Sequence, residues 1–472
     1  MSHPDALAEP VTAARSPRTR LLLEGPVART LLWLAAPNVL VVVLQATVST
    51  LDAVFVGWLG SDALAGVSLV FPLVMLMQTM SAGGMGGGVA SAVARALGAG
   101  RRADADALVV HAIVIALAMG AAFTVTLELA GPALFRAMGG TDHVLSAAVA
   151  YSRVLFGGAV AYWLFNILSS AIRGSGNMSV PASGMVASGL VYLALSPALI
   201  LGWGPLPRLG IAGAAVASVL SFGLGSLALL AFLCSGRSLV RPTLGGRGLR
   251  RALFREILRV GAPGALNTVL TNLTIVVLTA LVGPFGATAL AGYGLGARLE
   301  YLQIPIVFAL GAGLVTMVGT SVGAGDRARA VRVAWVGAAL AAAITEVIGL
   351  LAALFPHVWL GLFTTDEAVL AAGTHYLTIV GPFYGFFGAG LALYFASQGA
   401  GRLLWPLCAG FTRLVVAGAG GWLATRGLGA GLSGLFAAMA AALVLLAVIN
   451  VAAIHLGAWR ARDGQGAARR TR

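Results

Sequence analysis

The sequence has few charged residues, only two cysteines and no lysine. Charged residues make up 10% of its 472 residues, whereas a soluble domain carries roughly 25%. Hydrophobic residues make up 59%, and the mean hydropathy is +0.94. These values exclude an ordinary soluble globule and predict an integral membrane protein. Cys234 and Cys408 both lie in apolar segments, which argues against a disulfide framework or a cysteine metal site.

The chain also lacks the residue spacings that carry common enzymatic chemistry. No His-Glu-x-x-His or Cys-x-x-Cys motif occurs, and the histidines are scattered. The glycine-rich run Gly83–Gly88 resembles a phosphate loop, but it lies in an apolar segment, follows no strand and lacks the Lys-Ser/Thr ending. A membrane enzyme or a scaffold is therefore the weakest of three functional classes, and we expect no cofactor.

Twelve apolar segments dominate the chain. A helix of about 20 apolar residues crosses a hydrocarbon core of roughly 30 Å, and each segment is long enough to do so. The 64 glycines agree with helices that pack closely within a membrane. We therefore predict transmembrane helices near residues 27–57, 64–92, 107–130, 144–172, 181–203, 210–236, 257–284, 288–322, 330–354, 370–398, 403–425 and 430–457.

All 30 basic residues are arginines, and their distribution predicts the topology. Most lie before the first apolar segment, after the last, or in every second connection, whereas the alternate connections hold only Arg136, Arg208 and Arg426. Cytoplasmic loops of membrane proteins carry an excess of basic residues. The formal charge of +14 thus reflects topology and not a nucleic-acid site. We expect a multi-pass membrane protein with both termini cytoplasmic.

The two halves of the chain repeat. The segment Val56-Gly-Trp-Leu-Gly-Ser-Asp-Ala-Leu-Ala-Gly66 aligns without a gap onto Val282-Gly-Pro-Phe-Gly-Ala-Thr-Ala-Leu-Ala-Gly292, and Pro37 falls on Pro263 at the same spacing. Six helices in each half is an even number, so both halves enter the membrane from the same side. The sequence therefore predicts an all-α integral membrane protein with twelve transmembrane helices. We expect two six-helix lobes related by pseudo-two-fold symmetry about the membrane normal.

The predicted organisation has five parts. The polar, basic start of the chain is not expected to be a cleavable signal, because the apolar run after it is too long. We predict a disordered cytoplasmic tail at 1–26, an N-lobe at 27–236, a cytoplasmic linker at 237–256, a C-lobe at 257–457 and a basic cytoplasmic tail at 458–472.

Several motifs together resemble the multidrug and toxic compound extrusion (MATE) family of bacterial transporters. They are the proline and acid of the first helix, the Val56–Gly66 segment, Gly98-Ala-Gly, Arg173-Gly-x-Gly and Gly210-Ile-Ala-Gly-Ala-Ala-Val-Ala. The resemblance implies two lobes around a large central cavity. It also implies export of amphipathic or cationic small molecules driven by inward flow of H⁺ or Na⁺. It further implies a location in a bacterial inner membrane, and we expect the chain to act there as a monomer surrounded by membrane lipid.

Asp52 is the strongest functional candidate, because it is the only charged residue between Leu31 and Leu59. A carboxylate within hydrocarbon costs roughly 3 kcal/mol on insertion scales. The resemblance implies that Asp52 is the residue that binds the coupling ion. It also matches Pro37 to a proline of the family's first helix, where the missing N–H permits a hinge. The alternative is a structural acid hydrogen-bonded to neighbours on its own helix, namely Asn38, Gln45, Thr47 or Ser49.

Asn166, Tyr192 and Ser196 complete the expected cation-coupling site. Asn166 falls where the family often has an asparagine beside the acid, whereas Tyr192 and Ser196 stand where the common family pattern has an asparagine and a second acid. Hard cations such as Na⁺ prefer several oxygen ligands, including anionic ones. Desolvation favours the protonated form of a carboxyl group. We therefore expect H⁺ coupling, with a Na⁺ site at Asp52 as the alternative and no other metal.

In the C-lobe the buried acid is Glu300, and Arg298 points to a different face of the same helix. Glu300 either faces the cavity, where it meets a cationic substrate, or pairs with a charge on another helix such as Arg413. These alternatives stay open at this point.

Gln45, Asn272 and Tyr384 are the other residues that we expect at the substrate cavity. The arginines of the apolar segments keep a second transporter function open, namely a flippase of lipid-linked precursors or polysaccharide. Such a protein needs cations for phosphate groups, and the candidates are Arg153, Arg298 and Arg413.

Overall fold

The computed structural model describes residues 16–245 and 248–459. Within these residues the secondary structure is helical, and eleven helices are long and apolar enough to cross a membrane. A bent pair of shorter helices makes a twelfth span. The predicted all-α fold with twelve spans is therefore confirmed.

The helices are numbered here in chain order. Breaks into π or 3₁₀ geometry inside a span are included in its range. Their bounds are α1 Pro17–Glu24, α2 Val27–Gly57, α3 Ser61–Gly98, α4 Arg102–Ala137, α5 Asp142–Gly157, α6 Ala159–Gly174, α7 Ser179–Leu201, α8 Ile211–Cys234, α9 Arg251–Phe285, α10 Ala287–Gly323, α11 Arg327–Leu354, α12 Pro356–Leu360, α13 Glu367–Ala400, α14 Leu404–Gly427 and α15 Gly431–His455.

The predicted helix at 144–172 is bent rather than straight. It divides at Gly158 into α5 and α6, whose axes differ by 48°. Sharp kinks in helices form where small residues leave the backbone unsupported, and here Gly157 and Gly158 are adjacent. The side chain of Val219 on α8 fills the space in which a side chain at Gly158 would lie. Close packing therefore holds the bend.

The sequence repeat reappears in the packing of the lobes. In the N-lobe, Gly66 of α3 lies against Ala147 and Ala148 of α5. In the C-lobe, the equivalent Gly292 of α10 lies against Ala372 and Gly373 of α13. The absence of a side chain allows the same close helix crossing in both lobes, so the repeat is structural as well as sequential.

The lobes meet on one face of the protein, where α3 and α10 end and α9 and α11 begin. Because Arg95, Arg101, Arg255, Arg259 and Arg327 lie there, we call it the arginine-rich face. Contacts between α3 and α9 come mainly from Met80 onwards and fall away towards the start of α3. The lobes therefore close on the arginine-rich face and separate towards the opposite face.

A seam of small residues forms this closure. Gly84 and Gly88 of α3 lie against the backbone of Ala265 and Gly261. Gly98 lies against the backbone of Thr320. Its repeat counterpart Gly323 lies against that of Arg95, so the two contacts are reciprocal.

Two predicted boundaries need correction. The tail predicted as disordered at 1–26 contains helix α1, because Leu22 is buried and the Arg329 guanidinium donates to the carbonyl oxygens of Leu22 and Gly25 at 3.0 and 2.7 Å. The linker predicted at 237–256 ends earlier, since α9 begins at Arg251. Residues 1–15 and 460–472 lie outside the described residues.

Candidate functional site

Asp52 lies on α2 near the end of that helix, and Tyr192 of α7 donates a hydrogen bond to its carboxylate. The helices approach closely because Gly189 of α7 leaves room for Leu44 and Val48 of α2. Tyr192 follows Gly189 by one helical turn, and Asp52 follows Val48 by one turn, so the same packing brings the hydroxyl to the acid. The Asp52 side chain is partly exposed.

Hydroxyl groups surround this carboxylate. Ser196, one turn beyond Tyr192, is fully buried and its hydroxyl has no hydrogen-bond partner among the described residues. The hydroxyls of Tyr151 and Tyr162 lie within electrostatic reach of Asp52. In the described part of the chain, no basic residue lies within 4 Å of Asp52 and no three His, Cys, Asp or Glu side chains form a metal-binding group. The site therefore offers one carboxylate among neutral hydroxyls.

Asn166 does not join Asp52. Its side chain is buried and its amide donates to the hydroxyl of Ser81 on α3 at 2.9 Å. Asn166 thus ties α6 to the π-helical part of α3, in the middle of the N-lobe. Of the three residues expected beside the acid, the structure brings Tyr192 into contact with it and Ser196 next to Tyr192.

The helix-breaking residue Pro37 is accommodated within α2, which runs from Val27 to Gly57 without interruption. A proline has no N–H, so the helix lacks one hydrogen bond there. The next residue, Asn38, is buried and its amide nitrogen has no partner among the described residues. The stretch of α2 around Pro37 therefore lacks a backbone hydrogen bond, within the helix that carries Asp52.

The C-lobe acid is paired. The Arg413 guanidinium of α14 donates to Glu300 of α10 at 2.6 Å, and the side chains are only 13% and 12% exposed. Tyr376 donates to the second carboxylate oxygen at 3.4 Å, and Arg413 also lies over the ring of Phe387. Arg298 lies over the ring of Phe363 instead. Of the two alternatives for Glu300, the structure forms the ion pair.

The other residues expected at a substrate cavity differ in exposure. Gln45 is exposed on α2, and Asn272 is half-buried, with its amide donating to the Thr268 carbonyl at 2.9 Å. Tyr384 is fully buried in the hydrophobic core of the C-lobe. Tyr384 therefore does not line an open cavity in this structure, and its contact with a substrate stays a prediction.

Sequence reasoning missed the polar contacts that join the lobes. The Gln398 side-chain amide donates to the carbonyl oxygen of Gly83 at 2.9 Å, and Ser91 donates to the carbonyl oxygen of Gln398 at 2.5 Å. The available signal was the repeat, in which Gln398 stands at the position of Arg173 and begins the matching Gly-x-Gly motif.

The family model named MatE matches residues 37–198 and again 263–423. The two matches begin at the equivalent prolines of the two repeats and together cover more than half of the chain. The chain belongs to the MatE family. Like the other MatE members, it is a membrane transporter and not an enzyme.

Among the curated MatE relatives, the Bacillus subtilis protein described as probable multidrug resistance protein YoeA is 30% identical over 78% of this chain and 81% of its own. A Shewanella oneidensis protein described as an FAD transporter is 27% identical over 84% of this chain and 87% of its own. A solved structure described as the outward-facing conformation of a multidrug resistance MATE family transporter has a TM-score of 0.84. It is 24% identical and covers 94% of this chain and 98% of its own. This likeness supports the MatE fold alone.

Proposed function

We propose that this MatE transporter is a secondary active multidrug exporter that exchanges amphipathic or cationic small molecules for protons. The observation that carries the proposal is the Asp52–Tyr192 pair, a lone carboxylate held by a neutral donor between two helices of one lobe. The name of the Bacillus subtilis relative supports drugs as the substrate class. The fold supplies two lobes that are closed on one face only.

The chemistry of the Asp52 site favours a proton over Na⁺. A Na⁺ ion, like other hard cations, prefers several oxygen ligands, including anionic ones. Here Ser196 supplies a hydroxyl where a second acid completes the common family pattern, and Asn166 is engaged with Ser81. A single desolvated carboxyl needs no cage to bind a proton.

Proton binding at Asp52 changes what α2 requires from α7. The ionised carboxylate needs the Tyr192 donor, whereas the neutral carboxylic acid does not. Protonation therefore lowers the preference for the present α2–α7 packing, and the weakly bonded stretch around Pro37 allows α2 to respond. If drug and proton prefer different packings by about 1 to 3 kcal/mol, each drives release of the other.

The arginine-rich face is proposed to be cytoplasmic, because basic residues accumulate in cytoplasmic loops. The lobes are then closed towards the cytoplasm, and the structure represents an outward-facing state. After replacement of the exposed Cys234 and Cys408, we expect Arg208→Cys but not Arg237→Cys to react with an impermeant thiol reagent on intact cells. Labelling of Arg237→Cys alone would invert the orientation.

Reconstitution in liposomes tests the coupling, with each ion gradient imposed separately. We expect ethidium transport with a pH gradient in Na⁺-free buffer, and loss of that transport with a protonophore. Transport driven by Na⁺ at equal pH on both sides, and absent with a pH gradient alone, would contradict the proposal.

A flippase of lipid-linked precursors is the weaker alternative. Such a substrate carries phosphates and needs arginine side chains in the cavity that are not already paired. Arg413 is neutralised by Glu300, and Arg298 lies over Phe363. The dinucleotide named for the Shewanella oneidensis relative is anionic as well, so FAD belongs in the same liposome assay as a competitor of ethidium.

A further inference from the structure

A cavity on the arginine-rich face has a volume of about 1090 Å³ and lies mainly in the C-lobe. Five arginines line it, namely Arg95, Arg255, Arg259, Arg327 and Arg402, against one acid, Glu256. We call it the arginine pocket. We propose that the arginine pocket binds the phosphate-bearing headgroup of an anionic phospholipid.

The arginines of this pocket are largely unneutralised. Glu256 lies 3.8 Å from Arg95, which also donates to the Gly399 carbonyl oxygen. Among the described residues, no carboxylate lies within 4 Å of Arg255, Arg259, Arg327 or Arg402. Guanidinium groups bind phosphate oxygens through paired hydrogen bonds, so four free guanidinium groups at one cavity favour a phosphate ligand.

Topology alone does not explain all of this charge, because Arg259 and Arg402 have no arginine at the equivalent position of the N-lobe, whereas Arg255 and Arg327 do. The equivalent crevice of the N-lobe is a cavity of about 350 Å³ on the same face. Trp33 and Asn177 line it at the positions equivalent to Arg259 and Arg402, and Arg18 of α1 is the one arginine in its lining. Cytoplasmic orientation favours arginines in both lobes, yet only the C-lobe crevice has them at these positions.

One acid of the N-lobe pairs with two arginines on this face. Asp104 accepts hydrogen bonds from Arg101 at 2.9 Å and from Arg250 at 2.6 Å. Arg101 and Arg250 are thus paired, whereas Arg255, Arg259, Arg327 and Arg402 have no carboxylate within 4 Å among the described residues.

The remaining walls of the arginine pocket suit a lipid better than a soluble anion. Trp335 and Trp459 line it together with the apolar residues Val331 and Ile454. Tryptophan side chains concentrate at the membrane–water interface, and basic pockets between transmembrane helices bind anionic lipid headgroups. Phosphate groups can therefore meet the arginines while acyl chains follow the outer surfaces of α11 and α15.

The pocket also joins the two lobes, since Arg95 belongs to α3 of the N-lobe and the other arginines belong to the C-lobe. A ligand that contacts both sides binds best when the lobes are closed on this face. An anionic lipid in the pocket therefore favours the closed arginine-rich face over a state that opens there.

Binding to the purified, delipidated full-length chain tests the proposal, and it requires no transport. The probes are phosphatidylglycerol, phosphatidylcholine and soluble pyrophosphate, followed by native mass spectrometry. The pocket variant is Arg255→Gln/Arg259→Gln/Arg402→Gln. The control Arg102→Gln/Arg237→Gln/Arg332→Gln removes the same charge from exposed positions of the same face outside the pocket.

We expect the wild-type chain to prefer phosphatidylglycerol, and the pocket variant to bind it about a hundredfold more weakly while the control is unchanged. An equal loss of phosphatidylglycerol affinity in the pocket and control variants would overturn the site. So would equal binding of phosphatidylcholine and phosphatidylglycerol to the wild-type chain. Competition by pyrophosphate at the same concentration as the lipid would overturn the lipid assignment. If the triple variant misfolds, Arg402→Asn installs the N-lobe counterpart, and an unchanged affinity there would also overturn the proposal. Because drug transport is not measured, these outcomes are independent of the proton-exchange mechanism.

Discussion

The two lobes share one architecture but treat a buried acid in opposite ways. In the N-lobe, Asp52 meets the neutral hydroxyl of Tyr192. In the C-lobe, Glu300 meets the guanidinium of Arg413. A carboxylate beside a hydroxyl can gain and lose a proton without breaking an ion pair, whereas a carboxylate bonded to arginine stays ionised. Under the proposed function, the acid of the N-lobe serves coupling and the ion pair of the C-lobe holds its helices together.

Neither the Asp52–Tyr192 pair nor the Glu300–Arg413 pair is present at the equivalent positions of the opposite lobe. The positions equivalent to Asp52 and Tyr192 are Leu278 and Ala417, which belong to one apolar cluster of the C-lobe. The positions equivalent to Glu300 and Arg413 are Val74 and Ser188, and both are buried. The fold itself therefore needs neither pair, and each pair has a role particular to its lobe.

The largest effect is expected from Asp52→Asn. The amide keeps the size of the side chain and can still accept a hydrogen bond from Tyr192, but it cannot carry a proton. Proton-driven ethidium efflux from liposomes should fall to the background of empty vesicles, while the thermal unfolding midpoint stays close to that of the wild type.

The matched control for Asp52→Asn is Asp62→Asn, an exposed acid in the first turn of α3. It should transport at the wild-type rate. Wild-type efflux by Asp52→Asn would make the acid structural and remove the difference between the lobes.

Breaking the C-lobe pair should instead reduce stability. Glu300→Gln or Arg413→Gln leaves a buried charge without its partner, at a cost of about 3 to 5 kcal/mol. The double variant Glu300→Gln/Arg413→Gln leaves no such charge and should recover much of that loss. Thermal unfolding in detergent measures the cycle, and the ratio of transport with and without the pH gradient should stay unchanged in the double variant. A lost proton response there would assign Glu300 to the coupling machinery.

Substitutions on the two sides of the seam between the lobes should have equal effects, whereas substitutions of the two acids should not. A side chain at Gly98 meets the backbone of Thr320, and one at Gly323 meets that of Arg95. Gly98→Ala and Gly323→Ala should each oppose closure by about 2 kcal/mol and slow efflux roughly thirtyfold. The control Gly57→Ala adds a methyl group that meets nothing within 4 Å. Very different rates for the two seam variants would show that closure is not shared equally by the lobes.

The sequence predicts the fold well because membrane helices and their repeat leave strong local signals. Long apolar runs predict the transmembrane helices, and the arginine pattern predicts the topology. The matching Gly-rich motifs predict the two lobes. The bend at Gly158 and helix α1 were not predicted, because both depend on packing partners distant in sequence, namely Val219 and Arg329. Hydropathy carries no information on such contacts.

The candidate site was predictable only in part for the same reason. An acid in an apolar run is easily recognised, so Asp52 and Glu300 could be named as candidates from the sequence alone. Their partners do not, because the hydroxyl of Tyr192 and the guanidinium of Arg413 approach from other helices. Asn166 illustrates the limit, since its family position predicts a neighbour of Asp52 but the structure turns its amide towards Ser81.

The smallest effect is expected from Tyr192→Phe, which removes only the hydroxyl that donates to Asp52. The acid remains, so efflux should still follow the pH gradient, at a rate about fivefold lower that reflects a hydrogen bond of about 1 kcal/mol. A general packing defect would lower the rate as well, so a double-mutant cycle of unfolding midpoints decides the cause. Asp52→Leu, which cannot accept the hydrogen bond, Tyr192→Phe and their combination should be non-additive, whereas Tyr192→Phe with Asp62→Asn should be additive. Additivity in both cycles would mean that the hydroxyl supports α7 alone and does not act through the acid.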